Sequence, residues 1–157
     1  MDVILSVNEG FVPGETPEES DETADVVTTS EKAESSLGNI LIVDDSRMSR
    51  SILRNVLEKA GYSIAGEAAN GEDAVKAYKE IGPDLVTLDI TMPKMDGLEA
   101  LTRILSFDAD AKVIMITAAG QQDKLIKALK VGAKRFINKP FDEEEALKNI
   151  SDVLNGK

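Results

Sequence analysis

The chain has 157 residues, enough for one domain with a buried core but short for two. It contains no cysteine and no histidine, which excludes disulfides, Cys- or His-ligated metals, Ser-His-Asp and Cys-His catalysis, and histidine pH switching. The net charge of −11 disfavours direct binding to nucleic acid, because an acidic chain repels the phosphate backbone. Chemistry in this protein is left to carboxylates, lysine, arginine, hydroxyl groups and a hard metal ion.

The acidity is concentrated in residues 1–38, which carry ten acidic residues and one basic residue, whereas residues 39–157 carry 19 and 17. Between Gly10 and Ser36 the segment has few large apolar side chains, so we predict a disordered acidic tail or linker. The apolar stretch Met1–Phe11 is either the end of an upstream domain, or a random apolar end, or a short docking peptide on a tether. No apolar run reaches the ~20 residues of a membrane span, and Val3-Ile4-Leu5 is too short for a signal peptide. We therefore expect a cytoplasmic protein without membrane insertion.

From residue 39 onward, short apolar runs rich in β-branched residues recur along the chain. Such runs are typical of strands covered on both faces, as in a parallel sheet. The predicted strands, of which the second has the weakest pattern, are Ile40–Val43, Ser63–Gly66, Leu85–Leu88, Val113–Ile116 and Phe136–Ile137.

Apolar residues at helical spacing follow each predicted strand. Asn70, Asp96 and Asp142 stand where N-caps are expected, and Gly61 and Gly82 stand where helices should end. Strand and helix alternate five times, which predicts one α/β domain over residues 39–157. Its expected fold is a doubly wound, flavodoxin-like (βα)5 domain, with a parallel five-stranded sheet of order 2-1-3-4-5 and helices on both faces.

Chemically distinctive residues follow four of the five predicted strands. In such folds the active groups gather at the carboxyl ends of the strands. Taken singly, each residue has a structural explanation, such as a helix cap, a strand threonine or a solvated loop lysine. Together they predict a site, and they are Asp44, Asp45, Asp89, Thr117 and Lys139.

The set favours phosphoryl chemistry with a hard cation. Three neighbouring carboxylates cannot all stay ionised unless a cation lies among them. Oxygen ligands with a few waters suit Mg²⁺, and a lysine and a threonine opposite can bind phosphoryl oxygens. The remaining carboxylate then becomes the nucleophile and forms an acyl phosphate.

Four separated motifs, in order and at family-like spacing, resemble the receiver domains of bacterial response regulators. The resemblance covers all of residues 39–157 and none of the tail. The motifs are Ile40-Leu-Ile-Val-Asp-Asp45, Asp84-Leu-Val-Thr-Leu-Asp-Ile-Thr-Met-Pro-Lys-Met-Asp-Gly97, Ile114-Met-Ile-Thr-Ala118 and Gly132-Ala-Lys-Arg-Phe-Ile-Asn-Lys-Pro-Phe141.

The resemblance implies a role for each residue of the predicted metal site. Asp89 corresponds to the phosphoacceptor, and Asp44 and Asp45 correspond to the acidic pair that holds Mg²⁺, Asp45 directly and Asp44 through water. Thr91 would give its backbone carbonyl to the metal together with the Asp89 carboxylate.

The resemblance also implies the switch residues. Thr117 corresponds to the switch hydroxyl, and the backbone N–H of Ala118 should contact the phosphoryl group. Lys139 corresponds to the phosphate-binding lysine, and its peptide bond to Pro140 is expected to be cis. Only ~5–6% of X-Pro bonds in folded proteins are cis. Phe136 takes the aromatic switch position, where tyrosine is common, so no hydroxyl contact is expected there.

The expected function is a phosphoacceptor switch that takes its phosphoryl group from a histidine kinase and signals by binding a downstream protein. Asp89-Ile-Thr-Met-Pro93 and Ala119-Gly-Gln-Gln122 resemble single-domain chemotaxis (CheY-like) receivers, which implies a flagellar motor switch as target. We expect a monomer or weak dimer that is not an enzyme beyond self-phosphorylation from small donors and self-dephosphorylation.

Three alternatives stay open at this point. The chain could be a phosphorelay intermediate, or a receiver fragment whose tail links it to an N-terminal module. An aspartyl phosphatase is the third, but such enzymes usually carry a second acid two residues after the nucleophile, where this chain has Thr91. No output domain is expected after residue 157, so output should come through partner binding.

Overall fold

A computed structural model describes residues 36–156 of the chain. Most of the predicted tail, including the Met1–Phe11 segment, lies outside the described residues. The strands are β1 (Asn39–Val43), β2 (Ser63–Ala68), β3 (Leu85–Asp89), β4 (Val113–Thr117) and β5 (Arg135–Asn138). The helices are α1 (Arg47–Lys59), α2 (Gly71–Ile81), α3 (Gly97–Phe107), α4 (Gln122–Val131) and α5 (Glu143–Leu154).

The five strands form one parallel sheet of order β2-β1-β3-β4-β5, as predicted. Each predicted strand is present, although the observed β2 runs on to Ala68 and β5 includes Arg135 and Asn138. Crossover helices are required between parallel neighbours, because a parallel pair cannot be joined by a tight turn. All five carboxyl ends therefore lie at one edge of the sheet.

The helices cover both faces of the sheet. On one face α2, α3 and α4 contribute Tyr78, Leu101 and Leu125 to a core that includes Leu41 and Met115. On the other face α1 and α5 contribute side chains such as Leu57 and Ile150 to a second core. Both faces are buried, which explains why the strands read as apolar runs instead of alternating patterns.

The predicted helix caps are confirmed. Asn70 Oδ1 accepts a hydrogen bond of 2.8 Å from Asp73 N, and Asp96 Oδ1 accepts one of 3.0 Å from Glu99 N. Asp142 Oδ1 accepts bonds of 3.1 and 3.3 Å from the amides of the first turn of α5. Each cap satisfies backbone donors that have no partner within the helix.

Several apolar residues at helical spacing lie on the surface. Met48 on α1 is 73% exposed, and Ile126 on α4 is 51% exposed. The buried positions of α4 are instead Leu125 and the small Ala128.

No helix within residues 36–156 combines the length and apolar character needed to cross a membrane.

Replacing Thr87 by valine should stabilise the protein by about 1 kcal/mol. Thr87 is fully buried in β3, and its Oγ1 has no hydrogen-bond partner among residues 36–156. A buried hydroxyl without a partner carries a desolvation cost of ~1–3 kcal/mol, and valine removes that group at nearly the same shape. Urea unfolding of Thr87→Val measures the change.

The matched control for this substitution is Thr102→Val. Thr102 is an exposed threonine of α3 whose Oγ1 donates to the Leu98 carbonyl oxygen at 3.0 Å. Its replacement should change the free energy of unfolding by less than ~0.5 kcal/mol. A lower urea midpoint for Thr87→Val than for the unsubstituted protein would contradict the prediction.

Candidate functional site

The structure brings the residues predicted from the strand ends to one place. Asp44 and Asp45 follow β1, Asp89 and Thr117 end β3 and β4, and Lys139 follows β5. One carboxylate oxygen from each of the three aspartates lies within 4.8 Å of the others. The site therefore combines three acids, one hydroxyl and one ammonium at a single edge of the sheet.

The ammonium group of Lys139 joins two of the three carboxylates. Its Nζ lies 2.8 Å from Asp44 Oδ2 and 3.3 Å from Asp89 Oδ2. The backbone N–H of Lys139 donates to the Thr117 carbonyl oxygen at 2.8 Å, which fixes the strand end from which the side chain projects. The Lys139–Pro140 bond is cis, as predicted.

Asp44 is held from two further directions. Its Oδ1 accepts a 2.8 Å bond from Ser46 N, and its carbonyl oxygen accepts a 2.7 Å bond from Arg50 Nη1. Ser46 is also the N-cap of α1, where its hydroxyl accepts from Ser49 N. The start of α1 thus fixes the buried Asp44, while the neighbouring Asp45 side chain is exposed and accessible to a ligand.

The electrostatics of the three acids favour a bound cation. Burial, and after it the charge of Asp44, raise the pKa of the Asp89 carboxyl to about 6 against the opposing effect of Lys139. Burial lowers the pKa of Lys139, but its hydrogen bond to Asp44 and the charges of Asp89 and Asp44 outweigh that effect and leave this pKa raised. A single ammonium thus leaves negative charge uncompensated, because it faces three carboxylates.

The donor set fits Mg²⁺. The ligands are carboxylate oxygens at a partly open edge of the sheet, and Mg²⁺ prefers a few such oxygens with several waters. Thr91, whose carbonyl is the further predicted ligand, lies two residues beyond Asp89 in the loop of residues 90–96, hereafter the β3–α3 loop.

Comparison with known proteins identifies the family. The model of the response regulator receiver domain matches residues 40–151 of the chain. The chain belongs to the response regulator receiver family. Its relatives include the chemotaxis protein CheY of Thermotoga maritima, 48% identical over 73% of this chain and 95% of that protein. CheY of Bacillus subtilis is 50% identical over 74% of this chain and 97% of that protein.

A solved structure shows the same relationship. In the CheX-CheY-BeF3-Mg complex from Borrelia burgdorferi, the matched chain is 45% identical and superposes with a TM-score of 0.70, covering 73% of this chain and 87% of that chain. The predicted recognition as a CheY-like receiver is confirmed. The relatives support a phospho-accepting switch in chemotaxis as the class of function.

The two residues predicted to form the switch, Thr117 and Phe136, lie on the neighbouring strands β4 and β5. Thr117 is buried, and its Oγ1 donates to the Ala118 carbonyl oxygen at 3.2 Å. Phe136 on β5 pairs with Met115 of β4 in the sheet, and its side chain is 38% exposed. The threonine is thus buried at the end of β4, while Phe136 is partly accessible at the surface.

Reasoning from the sequence missed three residues that contact the site. Ser46 and Arg50 hold Asp44, and Gln121 bonds to both Ala118 and Thr91. Ser46 could have been found as the expected N-cap before α1. No local signal identifies Arg50 or Gln121, because their contacts depend on the rotamers of long side chains, and the contact of Gln121 with Thr91 also joins two loops that are distant in sequence.

In a chelating buffer, Asp89→Asn should stabilise this receiver near neutral pH and lose that advantage in acid. The folded-state pKa of Asp89, about 6, exceeds the ~3.9 of an unfolded aspartate, so its ionisation opposes folding. That cost is fully present above about pH 6 and absent below about pH 4. We expect a gain of roughly 1–3 kcal/mol in the free energy of unfolding at about pH 8, measured by urea unfolding with EDTA.

The exposed Asp110 supplies the control for this experiment. Asp110→Asn should leave the free energy of unfolding within ~0.5 kcal/mol of the starting protein at both pH values. A loss of stability in Asp89→Asn at about pH 8 would show that the contact with Lys139 outweighs the cost of burial and repulsion.

Proposed function

We propose that the protein is a receiver switch that takes a phosphoryl group from a histidine kinase onto Asp89 and then changes its affinity for a protein partner in the cytoplasm. Asp44, Asp45, Asp89 and the Thr91 carbonyl would hold Mg²⁺. The observation that carries the proposal is the convergence of three carboxylate oxygens within 4.8 Å, with Lys139 bonded to two of the acids. Membership of the family supports the order of events, from kinase to receiver to partner, and the geometry supports Asp89 as the phosphoacceptor.

The reaction needs little covalent chemistry from the protein. A carboxylate oxygen of Asp89 attacks the phosphorus of a phosphohistidine, the P–N bond breaks, and the phosphoryl group becomes an acyl phosphate on Asp89. The donor's imidazole leaves with the bonding electron pair. Mg²⁺ held by Asp44, Asp45 and Asp89 would supply neutralising charge for the phosphoryl oxygens. The chain contributes position and charge, since Lys139 already lies 3.3 Å from Asp89 Oδ2 and Thr117 lies beside it at the end of β4.

Phosphorylation adds roughly −1.5 to −2 charges at Asp89. The proposal is that Lys139 and Thr117 move toward the new oxygens, and that the Phe136 ring fills the space that the threonine leaves. A phosphoryl group that binds one arrangement better shifts the population toward it. The partner would sense this shift at the surface formed by α4, β5 and α5, hereafter the output face.

The output face combines positive charge with exposed apolar side chains. Ile126 and Leu129 of α4 and Phe136 of β5 are exposed, and Lys127 and Lys130 of α4 are exposed as well. Such a surface fits an acidic or amphipathic segment of a partner. Because the CheY relatives are chemotaxis proteins, we propose a flagellar motor switch subunit as that partner.

Incubation with acetyl phosphate and Mg²⁺ should add one phosphate-sized mass to the protein, measured by intact mass spectrometry. Asp89→Asn should abolish the gain, because the amide is not a competent nucleophile. Asp84→Asn is the matched control, since Asp84 precedes the same strand at the opposite edge, where its Oδ2 accepts from Asn39 N at 2.8 Å. No mass gain, or a gain that persists in Asp89→Asn, would refute Asp89 as acceptor.

Phe136→Ala should weaken binding of the phosphorylated protein to a flagellar switch subunit by about tenfold, as expected for a buried aromatic anchor. Calorimetry with the beryllofluoride-treated protein measures the affinity. Phe107→Ala is the control, because Phe107 is an exposed phenylalanine on α3, outside the output face, and is more accessible than Phe136. Equal losses in both variants, or none in Phe136→Ala, would argue against this face as the binding surface.

A further inference from the structure

Gln121 connects the two loops that flank the acidic cluster. Its carboxamide Oε1 accepts a hydrogen bond of 3.0 Å from the backbone N–H of Ala118. Its Nε2 donates to the hydroxyl of Thr91. The side chain therefore spans from residues 118–121, the β4–α4 loop, to the β3–α3 loop, and it uses both ends of its amide to do so.

The direction of this side chain is unusual for its position. Gln121 is the N-cap residue of α4, yet within residues 36–156 its side chain makes no capping hydrogen bond to the helix. In α1, α2, α3 and α5 the residues at the same position turn toward the helix and accept hydrogen bonds from amides of its first turn. Gln121 instead turns back to the loop, so α4 begins without the side-chain acceptor that the other four helices have.

The backbone N–H of Ala118 is the group for which Gln121 and the phosphoryl group would compete. One N–H group makes one well-aligned hydrogen bond, and Gln121 Oε1 takes it in this structure. Under the proposed function, the same N–H binds an oxygen of the phosphoryl group on Asp89. The carboxamide oxygen and the phosphoryl oxygen cannot both have it.

We propose that Gln121 is a latch that occupies the phosphoryl-binding N–H of Ala118 in the resting protein and is displaced when Asp89 is phosphorylated. This inference rests on the proposed function of Asp89. Displacement also frees the Thr91 hydroxyl, because the same carboxamide holds both groups. Gln121 is therefore a positioning residue, which competes with the phosphoryl group and does not react with it.

The latch also couples the site to the output face. Gln121 immediately precedes α4, the helix that carries Ile126 and Lys127. A second link joins the same two regions, since Lys124 Nζ of α4 lies 3.7 Å from Asp96 Oδ2 in the β3–α3 loop. When Gln121 is released, only the Lys124–Asp96 pair remains of these two links between the first turn of α4 and the β3–α3 loop. The weaker attachment of α4 is the signal that the output face receives.

The test is calorimetric binding of beryllofluoride with Mg²⁺, a phosphoryl mimic that forms no lasting covalent product. Gln121→Ala should bind the mimic about three- to tenfold more tightly, because the net cost of breaking one hydrogen bond is removed. Gln122→Ala is the matched control, since Gln122 is the adjacent, exposed glutamine. Its affinity should equal that of the unsubstituted protein.

Thr91→Val gives a second, independent variant. It removes the hydroxyl that holds the other end of the carboxamide but keeps the backbone carbonyl proposed as a metal ligand. Thr91→Val should also tighten binding of the mimic, and adding it to Gln121→Ala should produce no further gain, because the two groups act as one unit. In the unliganded protein, the amide resonance of Ala118 should shift in both variants.

The outcomes separate the latch from the proposed function. If the unsubstituted protein binds the mimic and Gln121→Ala binds it equally or more weakly, the latch is refuted and the proposed function stands. If the unsubstituted protein does not bind the mimic, the proposed function fails and the latch fails with it. Should Gln121→Ala not fold, as judged by circular dichroism, unchanged binding in Thr91→Val refutes the latch.

Discussion

The position of the Lys139 ammonium between Asp44 and Asp89 is the interaction on which the candidate site depends. Two nearly buried carboxylates at adjacent strand ends would repel each other in a medium of low polarity. Lys139 Nζ, 2.8 Å from one and 3.3 Å from the other, neutralises part of that charge and allows both to remain inside. The compensation is incomplete, since Asp45 adds a third acid, and the residual charge is what makes the site receptive to a divalent cation.

The fold provides the framework that this arrangement requires. Parallel pairing places the ends of β1, β3, β4 and β5 at one edge, and the backbone bond from Lys139 N to Thr117 O fixes the lysine's starting point. The backbone behind Asp89 is closely packed: a Cβ at Gly97 would lie 2.0 Å from the Asp89 carbonyl oxygen, so only glycine lets α3 begin there. Asp89, the proposed acceptor, is therefore held at the end of a strand and against the start of a helix.

Much of the fold and the acidic cluster could be predicted because both follow from short-range rules. Apolar β-branched runs, N-caps such as Asn70 and Asp142, and the rule that strand ends meet are all readable along the chain. Which residues of each helix are buried was harder to predict from the sequence. Helical spacing identified α4 correctly, but it does not say that the small Ala128 faces the sheet while Ile126 faces solvent.

Side-chain contacts between loops were the least predictable part. The bond from Gln121 to Ala118 depends on a rotamer choice four residues beyond Thr117, and the bond to Thr91 joins residues 30 positions apart. The bond of Lys139 to Asp44 was likewise missed, because the sequence placed the lysine opposite a phosphoryl group and not among the acids. These are choices among side-chain conformations that only the assembled fold determines.

The central claim is that the acyl phosphate forms on Asp89 and on no other acid of the cluster. The most direct measurement is borohydride reduction of the protein after treatment with acetyl phosphate and Mg²⁺, followed by peptide sequencing in a mass spectrometer. Reduction converts a phosphorylated aspartate to homoserine and leaves free aspartates unchanged. The account predicts homoserine at position 89 alone. Homoserine at position 44 or 45, or at none of the three, would contradict it.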